Sequence, residues 1–160
     1  MMKRVLIAAA LALSLAACQT ASRPSGVSTP SLPVTAGAQQ VNIRASTQVV
    51  RDTLIQTAQQ RGTRVAVDQP NMVILERSLP SPNPVLDAEY GPSVVGDRII
   101  RVRVRFEGQG CNTRAVQDLA LVNNAGSSKE QSFQRPGDSN TMQSLQGLKQ
   151  NAEARGCGIG

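Results

Sequence analysis

The chain has no histidine and no tryptophan, and Tyr90, Phe106 and Phe133 are its whole aromatic complement. Without histidine, Ser–His and Cys–His nucleophilic catalysis cannot be assembled, and a metal site would lack its usual nitrogen ligand. So few aromatics also remove the stacking platforms that single-stranded nucleic acids use, and grooves that stack sugars with them. There is no CxxC and no GxSxG nucleophile elbow. Gly108-Gln109-Gly110 joins two expected strands instead of opening a helix, so it is not a phosphate-binding loop. Asp87 and Glu89 stand close together, but in a proline-rich segment, a weak pattern for paired-carboxylate catalysis. No block of five or six like charges occurs. The reading is a protein without catalytic residues, metal or cofactor.

What is present begins at Met1. Lys3 and Arg4 precede Val5–Ala17, an unbroken run of small and apolar residues. A membrane-spanning helix needs about 20 such residues, so this shorter run reads as the apolar region of a secretory signal. It ends in Leu15-Ala16-Ala17-Cys18, which resembles the lipobox of bacterial lipoproteins. The resemblance implies a signal peptide over 1–17, cleavage before Cys18, a diacylglycerol on the Cys18 thiol and an acylated amine. Several acyl chains anchor durably, at about 0.8 kcal/mol per buried methylene. Gln19 follows where Asp would mark inner-membrane retention, so the family pattern implies the outer membrane of a Gram-negative host, with the domain facing the periplasm.

Cleavage would leave 143 residues, enough for one domain with its own core. Basic residues then number 15 against 11 acidic, and 13 of the 15 are arginine. This mild, dispersed charge suits an anionic envelope surface and does not argue for nucleic acid. Residues 18–40 are rich in Ser, Thr, Ala, Gly and Pro and read as a flexible tether. The expected domain is 41–160.

Within it, Val41-Asn42-Ile43-Arg44 alternates as a short strand. Ser46 is placed to cap a helix over Thr47–Arg61, where Val50, Leu54 and Ala58 share a face and Gly62 stops it. Thr63–Asp68 and Met72–Arg77 flank turn residues, as a hairpin does. Leu79–Gly96, with four prolines, reads as a long irregular loop. Ile100, Val102, Val104 and Phe106 alternate with Arg101, Arg103, Arg105 and Glu107. Asn112–Asn123 returns as a second strand, and Glu130–Gln134 is a candidate edge strand. Pro136-Gly137-Asp138-Ser139 introduces a last helix bearing Met142, Leu145, Leu148 and Ala152, stopped by Gly156.

The expected fold is therefore α+β: an antiparallel sheet of about five strands with two helices on one face, in the order β-α-β-β-β-β-α. That order resembles the helix-grip or TBP-like domains of some envelope lipoproteins, a likeness that transfers no function. Cys111 and Cys157, one opening a strand and one ending the last helix, are the expected disulfide in an oxidising periplasm. Arg101, Arg103 and Arg105 form a stripe with two readings. It is a solvated face with cross-strand partners such as Asp118 or Gln117, or a surface for an anionic partner.

Anchoring without catalysis points to binding. The first expectation is a lipoprotein, held to the membrane through Cys18, that binds or supports an envelope protein complex, with Leu79–Gly96 and the arginine stripe as contact surfaces. The alternatives are a carrier holding a lipid or apolar ligand between sheet and helix, or a subunit of a secretion or conjugation apparatus. The latter rests on Val41–Arg77, which loosely resembles the strand–helix–hairpin modules of ring-forming secretion proteins.

Overall fold

The computed structural model describes residues 34–157; the signal segment, Cys18 and most of the tether lie outside them. The fold is α+β, an open antiparallel sheet of six strands with three helices. In chain order these are β1 (Gln39–Ile43), α1 (Thr47–Gln60), β2 (Arg64–Gln69), β3 (Met72–Ser78) and α2 (Pro84–Tyr90). β4 (Asp97–Gln109), β5 (Asn112–Ala125), β6 (Gln131–Arg135) and α3 (Ser139–Arg155) follow.

The long β4–β5 hairpin organises the rest, as its period-two sequence predicts. Val102 stands opposite Leu119 and Phe106 opposite Ala115 across it. Its turn needs glycine. Gly110 has φ +56°, and a Cβ on Gly108 would run into the Asn112 carbonyl oxygen. On one side of the hairpin the order continues β4-β3-β2. On the other, β1 and β6 share the free edge of β5 end to end. β1 pairs residues Thr113–Gln117 and β6 pairs Leu119–Asn123. The Gly137 amide donates to the Gly37 carbonyl at 2.9 Å where the two short strands meet. β6, the candidate edge strand, is the sixth strand.

Strand alternation sends Val102, Val104 and Phe106 to one face and the three arginines to the other. On the apolar face, Ile43, Val73, Val104 and Ala115 meet Val50 of α1 and Leu145, Leu148 and Ala152 of α3 in one core cluster. Ile43, Val50 and Leu145 are buried to 1% exposure or less. Each such side chain contributes about 1.5–3 kcal/mol by leaving water. Both helices are tied down at their starts. The Ser46 hydroxyl accepts from the Val49 amide, and Asp138 and Thr141 exchange bonds in a reciprocal capping box.

One expectation is corrected. Leu79–Gly96 is not irregular throughout, because Pro84–Tyr90 forms α2, capped by the Asn83 side chain accepting from the Leu86 amide at 3.2 Å. None of its seven residues is buried, so it carries no apolar stripe that periodicity could detect. The legible signal was Asn83-Pro84, a capping side chain followed by proline at the first helical position. A buried arginine holds this segment: Arg98, 3% exposed, bonds Asn123 at 2.6 Å and pairs with Asp87 at 2.7 Å. Asn123 in turn donates to the Tyr90 carbonyl, and the Tyr90 ring lies 5.1 Å from that of Phe133.

Candidate functional site

The arginine stripe is internally paired. Arg103 and Arg105 both bond the same Asp118 oxygen, at 2.9 and 3.0 Å, across the β4–β5 register. Arg101 reaches Glu76 on β3 at 2.8 Å and Glu130 at 2.7 Å. Glu76 also accepts from Arg64 of β2 at 3.0 Å. Three guanidiniums thus meet three carboxylates, one from each neighbouring strand and one from the turn before β6. The hydrogen bond that Arg101 donates to Glu130 raises the Arg101 pKa further, and Arg101, aided by the Gly126 amide, lowers that of Glu130. Of the two partners named from sequence, Asp118 is engaged. Gln117 lies on the opposite face and donates weakly to the Thr141 carbonyl at 3.4 Å. The pairing around Asp118 is incomplete. Its second oxygen and the Arg105 Nε are buried without a hydrogen-bond partner among the described residues.

Cys111, in the turn between β4 and β5, and Cys157, just past α3, stand at bonding distance, with sulfurs 2.08 Å and Cα atoms 5.2 Å apart. The pair is placed to form a disulfide joining the C-terminal end of α3 to the hairpin turn. Cys18 lies outside the described residues. Asp87 and Glu89 do not converge: Asp87 serves Arg98, whereas Glu89 takes the Tyr90 hydroxyl at 2.6 Å and Arg135 at 3.3 Å. Among the described residues no group of three or more metal-ligating side chains comes together.

Between α1, α3 and the apolar face of the sheet, where the carrier alternative expects a cavity, lies a groove of about 910 Å³ whose lining the sequence did not identify. Ile100 and Val102 of β4, Leu119 of β5 and Leu54 of α1 line it and are only half-buried. Leu75, Leu145 and Leu148 close it toward the core. The α3 wall is neutral and polar, with Gln143, Ser144, Gln146 and Gln150. Four charged residues border it: Arg61 at the end of α1, Arg77 on β3, Asp138, and Glu76, whose carboxylate turns to the arginine face. Both acids are already engaged. Glu76 bonds Arg64 and Arg101, and Asp138 caps α3, where the Thr141 amide and hydroxyl hold its carboxyl below the usual range. The groove thus joins an apolar floor to a polar rim, as small-molecule sites do, and its volume lies within their range of about 300–1,000 Å³.

No protein-family model matches the chain, and no curated protein does. Among solved structures the chain is similar to the crystal structure of a TBP-like protein from Parabacteroides distasonis ATCC 8503. That match has 13% identity and a TM-score of 0.31, over 76% of this chain and 85% of that one. A likeness of that degree carries no argument, and the α+β architecture stands on the strands and helices themselves.

Proposed function

We propose that this chain is a non-enzymatic lipoprotein of the outer membrane, held through lipidated Cys18, whose periplasmic domain carries an apolar ligand in the groove between sheet and helices. The observation that supports this reading is the half-buried aliphatic floor of Leu54, Ile100, Val102 and Leu119 within a cavity of small-ligand size. Apolar side chains left partly open inside a concave surface gain by being covered, at about 25 cal/mol per Å². The test is organic extraction of the chain purified gently from membranes, beside an Ile100→Lys/Leu119→Lys variant. Mass spectrometry is expected to find one apolar compound at near-stoichiometric amount in the native chain and far less in the variant. Equal amounts in both would overturn the carrier reading.

A second reading, support of an envelope protein complex, has its own observation. Val85, Val94 and Val95 are 75%, 71% and 51% exposed, all within the segment singled out above for partner contact. Contiguous exposed apolar side chains mark contact surfaces, and Val94 and Val95 are neighbours in the chain. Crosslinking from Val85 and Val94 in intact membranes tests it: one defined partner at constant stoichiometry supports this reading, and diffuse labelling removes it.

A further inference from the structure

Of the described arginines, Arg51, Arg64, Arg98, Arg101, Arg103, Arg105, Arg114, Arg135 and Arg155 all make side-chain hydrogen bonds. Arg44, Arg61 and Arg77 are the three whose side chains have no ion-pair or hydrogen-bond partner among the described residues. Two of those three line the same groove. The cationic charge left over for an external anion is therefore not on the β4 stripe that the sequence draws attention to. Arg44 and Lys129 lie elsewhere, whereas Arg61 and Arg77 line the apolar groove, where the acids present are spent on other partners.

Resting on the groove as a ligand site, we infer that it receives a single-chain fatty carboxylate, its acyl chain over Ile100, Val102 and Leu119 and its carboxylate met by Arg61 and Arg77. Guanidinium presents a planar fork of donors that matches a carboxylate, and with no internal partner to release, neither arginine must break a bond to engage one. The geometry argues for a small amphiphile over a protein segment. Its volume of about 910 Å³ lies within the range of small-molecule sites, and its half-open floor is four aliphatic side chains, enough to follow one acyl chain. It argues equally against a neutral apolar ligand, which would leave the two guanidiniums unused beside it.

The test uses the full chain reconstituted in neutral phosphatidylcholine vesicles and a palmitic acid carrying a photoreactive diazirine, with the corresponding palmityl alcohol as the uncharged probe. Sites of labelling are read by peptide mass spectrometry. The acid is expected to label peptides containing Leu54, Ile100–Val102 and Leu119 at least about tenfold more than the alcohol, since even one charge-assisted bond is worth about that factor. Arg61→Gln/Arg77→Gln should remove that preference. Arg61→Lys/Arg77→Lys should retain most of it, and Arg101→Gln/Arg103→Gln should leave it unchanged. Because Arg61 and Arg77 are exposed and unbonded, their replacement does not threaten the fold, which circular dichroism verifies. Groove labelling that is equal for acid and alcohol, or indifferent to the Arg61/Arg77 variants, would overturn the anion inference while leaving a neutral carrier standing. Absence of groove labelling by either probe would overturn both.

Discussion

Joining Cys111 to Cys157 closes a loop of sequence separation 46. In the chain-entropy account, a loop of that length removes disorder from the unfolded state worth about 4 kcal/mol at 25 °C. Among single perturbations of this fold it is the one whose magnitude is most directly calculable. α3 supplies Leu145, Leu148 and Ala152 to the core and one wall of the groove, and the bond fastens its C-terminal end to the hairpin turn. The perturbation is Cys111→Ala/Cys157→Ala, compared with the periplasm-matured chain before and after reduction. Both residues are exposed, so reductant reaches them without unfolding. Equilibrium urea unfolding is the assay. With m about 2 kcal/mol/M, the midpoint should fall by about 2 M. The slope should also rise, because an unfolded chain freed of its cross-link exposes more surface. Alanine variant and reduced protein should agree. A loss below about 1 kcal/mol with unchanged slope, or free thiols found by mass in periplasm-matured protein, would refute the reasoning.

Asp118→Ala strands Arg105, which is only 14% exposed, while Arg103, at 38%, can turn to water. The expected loss in urea unfolding is about 2–4 kcal/mol, discounted for the exposed partner, and a loss under about 0.5 would show the pair is not formed. Arg98→Met removes the tie between β4 and the α2 segment, so limited proteolysis is expected to cut within 83–96 several-fold faster, with the hairpin left intact. Acid should loosen α3 selectively. Hydrogen bonds from Thr141 to Asp138, and from Lys149 and the Arg44 amide to Glu153, hold both carboxyl groups below their ordinary pKa. A depressed folded pKa stabilises above the unfolded value and is lost as pH falls through the folded one. Hydrogen-exchange protection factors in α3 should therefore drop relative to α1 between about pH 6 and pH 3. Equal loss in both helices would contradict this.

The elements that could be read from sequence were those with a local period or a local cap. The alternation of Ile100–Phe106 against Arg101–Glu107 yielded β4, and Ser46 with Gly62 bracketed α1 to within a residue. α2 was missed because a helix with no buried residue leaves no apolar pattern, although Asn83-Pro84 marked its start. β1 also takes in Gln39 and Gln40, since pairing with Val116 and Gln117 of β5 decides that edge and local polarity does not. The end-to-end arrangement of β1 and β6 is equally nonlocal. At the site level, Cys111 and Cys157 were expected to pair as the two thiols left beside Cys18, and Asp118 was one of two partners named for the arginine stripe, with Gln117 on the other face. Nothing in the local sequence sets Arg98 apart; only the neighbouring Asn123 and Asp87 make its burial tolerable. The groove was illegible for a different reason. It is the space left where α1 and α3 fail to cover Ile100, Val102 and Leu119, and no residue type announces a gap. Arg61 and Arg77 become notable only once every other groove charge is seen to be engaged.

The most direct measurement of the central claim, that the groove is a ligand site, is methyl NMR on the full chain labelled at Ile, Leu and Val and titrated with palmitate. The account predicts saturable shifts at Leu54, Ile100, Val102 and Leu119, with Val116 and Val122 of β5 unmoved. Shifts confined to Val85, Val94 and Val95, or none at saturation, would contradict it.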